Sequence, residues 1–253
     1  MKFKDKTAIV TGAASGIGAA AALRLSKEGA LVLAADINEE GLAKTASAAR
    51  TGGHYLQTCK CDVSVEADVQ NAVSRALSIN GRIDILVNVA GISVTKYVAE
   101  TSWEEYSRIM DVNMGGVFLF TAKVLPVMEK QQAGAIVNIA SELAFVGYPD
   151  IAAYTASKGA VVSFSRSCAL DAIRYGVRVN CVCPGAADTP IFWDGVTDPK
   201  ERQKMLDRIK IEKPIGRLVT VEEIANGIVF MASEDASAVV GACLLMDGGF
   251  SII

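Results

Sequence analysis

Histidine is almost missing: the 253-residue chain has one, His54. Chemistry that needs several imidazoles, such as a zinc site of His ligands or a His base relayed by a second His, has no residues to run on. Charge of one sign is equally scarce. Twenty-five Lys and Arg face 28 Asp and Glu, for a net charge of −3 with no basic run, which argues against nucleic acid as a partner. No uninterrupted apolar run approaches the roughly 18 residues that read as a membrane span. The start, Met1-Lys2-Phe3-Lys4-Asp5-Lys6, lacks the apolar core of a leader. The C-x-x-C spacing of zinc and redox sites is also absent. Cys59-Lys60-Cys61 and Cys181-Val182-Cys183 are i, i+2 pairs in strand-like runs and read as small buried hydrophobes. The expectation is a cytoplasmic protein with no metal and no membrane contact.

Hydrophobic residues make up 51% and charged residues 21%, a globular composition with ample material for a core. Short β-branched runs alternate with longer helical patterns. Strands are expected at Thr7–Thr11, Leu31–Ala35, Tyr55–Cys61, Ile83–Val89, Ala135–Ile139, Val177–Val182 and Ala242–Met246. Helices are expected at Gly16–Glu28, Glu39–Arg50, Glu66–Ile79, Trp103–Glu129, Ala153–Tyr175 and Val221–Ala232. Strands separated by helix-length segments imply βαβ crossovers, hence an α/β fold with one doubly wound, seven-stranded parallel sheet and helices on both faces. No linker divides residues 1–253, so one domain is expected. The longest irregular segment, Gly185–Lys213, carries a charged helical patch at Pro199–Glu212 and reads as a substrate-binding loop or lid.

The first strand runs into Thr11-Gly12-Ala13-Ala14-Ser15-Gly16-Ile17-Gly18, directly before the first helix. Gly12 permits a sharp turn, Gly16 lets backbone approach a pyrophosphate, and Gly18 lets helix and strand pack closely. The helix start offers free N–H groups to the phosphates. Asp36 ends the second strand, where a carboxylate accepts from the adenosine ribose hydroxyls and repels a 2′-phosphate. Neither Ser15 nor Ile37 supplies a positive charge to reverse that, so NAD is favoured over NADP.

Tyr154 and Lys158 stand at i, i+4 and share one helix face. An ammonium near a phenol favours phenolate, and a tyrosine tuned in this way exchanges a proton with an alcohol. Ser141, just after the fifth strand, is placed to hydrogen-bond the same oxygen. With these motifs in order, the sequence resembles the short-chain dehydrogenase/reductase family in its compact form, from Lys6 to about Phe250. The resemblance implies a Rossmann-like fold and a catalytic set of Asn113, Ser141, Tyr154 and Lys158. It also implies reversible transfer between a secondary alcohol and its ketone. Tyr154 would act as acid and base, Ser141 would fix the substrate oxygen, Lys158 would hold the nicotinamide ribose, and Asn113 would serve a water relay. It further places Asp62 and Val63 at the adenine, Asn88, Ala90 and Gly91 along the adenosine, and Ile17 under the pyrophosphate or nicotinamide. Pro184, Gly185 and Thr189 fall on the nicotinamide side. One departure is Val89, where the family more often has a second Asn.

Leu143, Tyr148, Phe192 and Trp193, beside Ser141 and Tyr154, are the expected substrate contacts. Phe145, Val146 and Ile191 extend an apolar pocket, and Ser93, Lys96 and Glu142 add polar groups. Asp62 has a second reading as the N-cap of the following helix. Two other functions compete: a 3-oxoacyl-[acyl carrier protein] reductase, against which Asp36 argues, and a non-catalytic nucleotide sensor, against which the intact tetrad argues. In relatives the helices around Gly115, Gly116, Ala160 and Phe164 and the last strand pair between subunits, so the resemblance implies a homotetramer.

Overall fold

Along each inner strand, alternate apolar side chains go to opposite faces, and both faces are covered. In the computed structural model, which describes all 253 residues, β1 (Thr7–Thr11), β2 (Leu31–Asp36), β3 (Leu56–Lys60), β4 (Ile85–Asn88), β5 (Gly134–Ile139), β6 (Val177–Pro184) and β7 (Cys243–Met246) form one sheet. All strands are parallel, in the order β3-β2-β1-β4-β5-β6-β7. On one face Val10, Val32, Val87 and Val137 meet Leu25 of α1 (Gly16–Lys27), Leu42 of α2 (Glu39–Thr51) and Ile228 of α8 (Val221–Ala232). On the other, Ile9, Leu33, Leu86 and Ile136 meet Val69 of α3 (Glu66–Asn80), Phe120 and Val124 of α5 (Gly116–Gln131) and Ala169 of α6 (Ala152–Ala172). The strand order reverses between β1 and β4, and the crevice at their C-terminal ends is where open α/β sheets bind ligands.

The structure departs from the expected elements at places with local causes. The third strand begins at Leu56, leaving Tyr55 66% exposed at the sheet edge. The fourth stops at Asn88 because the next two N–H groups, of Val89 and Ala90, donate to the Thr11 hydroxyl at 3.0 and 3.1 Å. The sixth extends to Pro184 because β7 pairs along it to Met246. The expected helix over Trp103–Glu129 is interrupted: α4 (Trp103–Met110) passes into a widened π-turn at Asp111–Gly115 before α5 begins.

That combined helix is the one element long and apolar enough by composition to cross a bilayer, although charged residues such as Arg108, Asp111 and Lys123 interrupt it. Its apolarity is accounted for by Val117, Phe120, Val124 and Met128, which pack inside the protein. The Gly185–Lys213 segment is half helical. α7 covers Pro199–Glu212, with Pro199 at its first position and the Asp198 side chain accepting the Lys200 N–H. Ile209 is its only buried residue.

Candidate active site

Backbone crowding explains the glycine loop. Gly12 has φ +65°, and a Cβ there would lie 2.8 Å from the Ala90 nitrogen. A Cβ on Gly18 would lie 2.1 Å from the Gly12 carbonyl oxygen. Helix and turn therefore touch through backbone alone, and α1 starts close under the end of β1. Its N-cap, Ser15, leaves the first turn without a side-chain cap, and no acid sits in that turn. The first N–H groups and the positive end of the helix dipole thus suit an anion.

Asp36 serves this loop directly. One carboxylate oxygen accepts the Ala14 N–H at 3.0 Å and the other accepts the Asn38 N–H at 2.9 Å. A carboxylate offers about four acceptor positions, so capacity remains for a ribose diol. Ile37 beside it is 56% exposed. Thr189 and Pro190 close over the loop from the far side, with the Thr189 methyl 3.4 Å from where a Gly16 Cβ would stand. Glycine loop, Asp36 and Thr189 thus converge on one crevice, with buried Pro184 ending β6 and Gly185 donating to the Met246 carbonyl at 3.0 Å. Ile17 packs partly against the core behind the loop.

Other expected contacts divide. The Asp62 carboxylate accepts both N–H and O–H of Ser64, at 3.0 and 2.6 Å, and these bonds hold it below the usual carboxylate range. It is an Asx turn; the N-cap of α3 is Val65, so the capping reading is corrected. Val63 is buried against Gly116, which therefore faces the protomer's own interior and not a neighbouring subunit. The Asn88 side chain, 3% exposed, turns into the sheet and donates to Asn138 Oδ1 at 2.8 Å. Asn138 donates on to Ser165 Oγ at 2.8 Å. The Asn88 amide therefore braces the sheet and does not line the adenosine crevice.

The four expected catalytic residues come together from three elements. Ser141 follows β5, and its Oγ accepts the Leu143 N–H at 3.2 Å. Tyr154 and Lys158 lie one turn apart on α6, with the ammonium 5.6 Å from the phenol ring centroid. Lys158 is 4% exposed and donates to the Ile139 carbonyl at 2.8 Å. Burial draws its ammonium down to about 8. Burial also pushes the Tyr154 phenol up to about 12, opposed by the neighbouring Ser141 hydroxyl and reinforced by Glu142. The depression expected from Lys158 is not what sets the phenol in the polypeptide alone; desolvation raises it, and the lowering partner is Ser141.

Asn113 sits in the π-turn, fully buried. Its Oδ1 accepts the Ile92 N–H at 2.8 Å, and its Nδ2 donates to the Ile92 carbonyl at 3.0 Å and to Ser157 Oγ at 2.9 Å. Ser157 in turn donates to the Tyr154 carbonyl at 2.7 Å. Gly91 leaves room for this, since a Cβ there would meet Asn113 Oδ1 at 3.2 Å and Lys158 Nζ at 3.5 Å.

On the substrate side, Leu143 and Tyr148 are half-buried, and the Tyr148 hydroxyl lies 3.3 Å from Glu212 Oε2. Phe192 and Trp193 meet edge to face with centroids 4.8 Å apart. Trp193 Nε1 donates to Asp188 at 2.6 Å, and the Arg202 guanidinium covers its ring at 4.8 Å. Trp193, Arg202, Asp188 and Thr189 border an open cleft of about 550 Å³ whose lining includes neither Phe192 nor Ser141 and Tyr154. Lys96 is engaged elsewhere, paired with Glu105 at 2.9 Å. Sequence reasoning gave no role to the side chains of Thr11, Asn138, Ser157 and Lys213, all structural partners of site residues. Thr11 opens the glycine loop, Ser157 lies inside the Tyr154–Lys158 stretch and Lys213 ends the lid segment, so only Asn138 stood away from a sequence signal.

A family model described as enoyl-(acyl carrier protein) reductase matches residues 12–251. The 2-(R)-hydroxypropyl-CoM dehydrogenase of Xanthobacter autotrophicus is 41% identical, covering 98% of this chain and 100% of that protein. The cyclopentanol dehydrogenase of a Comamonas species is 39% identical over 99% of this chain and 98% of its own length. Among solved structures, levodione reductase superposes with a TM-score of 0.95 at 34% identity, covering 99% of each chain. With the sheet order, the glycine turn and the Ser141, Tyr154 and Lys158 arrangement, these likenesses make the chain an oxidoreductase of the short-chain dehydrogenase/reductase family.

Proposed function

We propose that the protein is an NAD-dependent dehydrogenase that interconverts a small secondary alcohol and its ketone, with Tyr154 as the proton-transferring group. The observation that carries this reading is the convergence of Tyr154, Ser141 and Lys158 beside a crevice whose floor is the glycine turn and whose wall is Asp36. Hydroxypropyl-CoM and cyclopentanol dehydrogenases, the relatives above, carry secondary alcohols in their names.

Family dehydrogenases use nicotinamide cofactors, and the residues present fit one. The Gly12, Gly16 and Gly18 turn with the uncapped start of α1 would hold the pyrophosphate, and Asp36 the adenosine ribose. Asp62, Val63, Ala90 and Gly91 would flank the adenosine. Lys158 would hold the second ribose, and Pro184, Gly185 and Thr189 the nicotinamide side. When bound, the nicotinamide exchanges two electrons and a hydrogen with the substrate carbon. Ser141 Oγ already accepts the Leu143 N–H, so its own proton is free to point at the substrate oxygen and stabilise charge developing there. The neutral phenol of Tyr154 donates a proton to that oxygen during ketone reduction. In alcohol oxidation Tyr154 must first lose its proton, a loss the Lys158 ammonium favours. Residues 185–213 act as the substrate-side lid.

The test is a spectrophotometric panel with NAD⁺ and NADP⁺ on secondary alcohols including cyclopentanol, and with NADH and NADPH on a 3-oxoacyl thioester. Oxidation of an alcohol with NAD⁺ preferred is expected. Preference for NADP⁺, or a thioester turned over faster than every alcohol, would overturn the reading in favour of the acyl carrier protein reductase. We also infer a homotetramer, supported by exposed Phe118, Leu170 and Leu245 on α5, α6 and β7. Light scattering showing a single 26.6 kDa species would exclude it.

A further inference from the structure

Glu142 directly follows Ser141, and its carboxylate pairs with the ammonium of Lys213, both side chains 6% exposed. A pair taken so far out of water adds little net stability, because the desolvation of two charges offsets their attraction. Its location supplies a different use. Glu142 opens the short 3₁₀ turn Glu142–Ala144, the turn whose Leu143 N–H is held by Ser141. Lys213 is the residue on which α7 ends, its N–H bonded to the Ile209 carbonyl. One residue earlier, Glu212 lies in hydrogen-bond contact with Tyr148, so the end of α7 is tied to the 142–148 segment at two points.

The same pair reaches two further segments. Lys213 Nζ stands 3.2 Å from the Phe250 ring centroid. Ile215 donates to the Gly248 carbonyl at 3.1 Å. The second carboxylate oxygen of Glu142 is buried with no hydrogen-bond partner, and it lies 2.7 Å from where a Cβ on Gly185 would stand. Only glycine at 185 leaves this oxygen its place. The carboxylate is thus wedged between the catalytic turn, the end of β6 and the end of α7.

We propose that Glu142 and Lys213 form a positioning pair that makes the Ser141 turn, the Gly185 strand end and the end of α7 move as one body. The proposal rests on the reading of Ser141 as the group that fixes the substrate oxygen. The charged and titratable groups facing Glu142 are Lys213 from the end of α7, Asp247 from the C-terminal turn, and Tyr148 and Tyr154. Burial pushes the Glu142 carboxyl up against the pull of Lys213. Its charge also works against a second negative charge on Tyr154.

Hydrogen–deuterium exchange on the full chain, which needs no substrate, tests the coupling. Glu142→Gln and Lys213→Met should each speed exchange in peptides covering 142–148 and 199–216 together, on the order of tenfold. Peptides of β1, β2 and α1 should keep their wild-type rates, and Lys213→Arg should restore most of the protection. In the pH profile of kcat/KM for cyclopentanol oxidation, Glu142→Gln should move the rising limb to lower pH by roughly one unit, because a like charge near Tyr154 is removed. Faster exchange at only one of the two segments, faster exchange throughout the chain, or none at all would overturn the proposal. If Lys213→Met does not fold, the isosteric Glu142→Gln decides alone. Tyr154→Phe is run in parallel: if it keeps turnover the catalytic reading fails, whereas its inactivity with unchanged exchange in Glu142→Gln refutes only the pair.

Discussion

The Lys158 ammonium stands 5.6 Å from the centre of the Tyr154 ring, yet its hydrogen bond goes to the Ile139 carbonyl, at 2.8 Å. The lysine is thereby fixed to the end of β5, with its ammonium held close to the phenol ring. The two groups are driven apart by burial, the phenol to about 12 and the ammonium to about 8. Near neutral pH the polypeptide therefore presents a protonated tyrosine beside a lysine that is still mainly an ammonium.

Replacing Tyr154 by Phe removes the acid and base while keeping the ring. Turnover should fall by about a thousandfold, with NADH binding, followed by its fluorescence, within roughly twofold of wild type. Lys158→Met, by removing the positive charge that favours phenolate, should move the alcohol-oxidation limb to higher pH. A limb in its original place would show that the charge does not reach the phenol.

Asp36 holds the Ala14 N–H and, in the proposed function, would also face the nucleotide ribose. Asp36→Ala should cut kcat/KM with NAD⁺ by at least about tenfold, equivalent to about 1.4 kcal/mol. It should narrow the preference over NADP⁺ without producing an efficient NADP enzyme, since the loop loses its anchor as the repulsion is lost. A variant that used NADP⁺ as well as wild type uses NAD⁺ would show that repulsion is its only contribution.

Asn113 satisfies both backbone groups of Ile92 and a serine hydroxyl on α6 from one amide. Asn113→Ala strands those partners inside the protein. Urea unfolding should report a loss of about 2–4 kcal/mol, accompanied by a lower kcat because Ser157 also holds the turn of α6 bearing Tyr154. Unchanged stability would contradict the bracing role.

At the opposite end of the sheet, Asp84 accepts from the Thr7 N–H and from Arg82 and Lys6. Burial raises its carboxyl, but these partners outweigh that and hold it below its ordinary value. A carboxyl lowered in the folded state adds stability above its unfolded pKa of about 3.9, and loses it as pH falls through the folded value. Asp84→Asn should therefore lower the melting temperature at pH 7 by an amount worth about 1–3 kcal/mol. The gap should begin to narrow below about pH 3.9 and close once the pH has fallen through the lowered folded-state value. A constant gap across that range would refute the ionic origin.

What the sequence made legible was local. The glycine turn lies within Gly12–Gly18, and Tyr154 and Lys158 are four residues apart, so their spacing alone puts them on one helix face. Asp36 needed only the end of a strand. The missed relationships join distant segments: Glu142 and Lys213 are 71 residues apart, and Thr11 stops β4 from 78 residues away. No periodicity carries such pairs. The π-turn was hidden for a related reason, since its Asn113 is held by Ile92 and Ser157 on other elements. Asn88 shows the reverse error: it stands in the right motif, but its neighbour across the sheet claims the side chain.

Asn88 and Asn138 are also register partners on β4 and β5. The strands around them are apolar on both faces, so a slip of two residues would keep every side chain on its proper side and lose little burial. What such a slip would lose is the amide pair, leaving two polar groups buried in the middle of the sheet without partners. The Asn88–Asn138–Ser165 chain thus marks one β4–β5 alignment apart from a neighbouring one that hydrophobicity alone would accept.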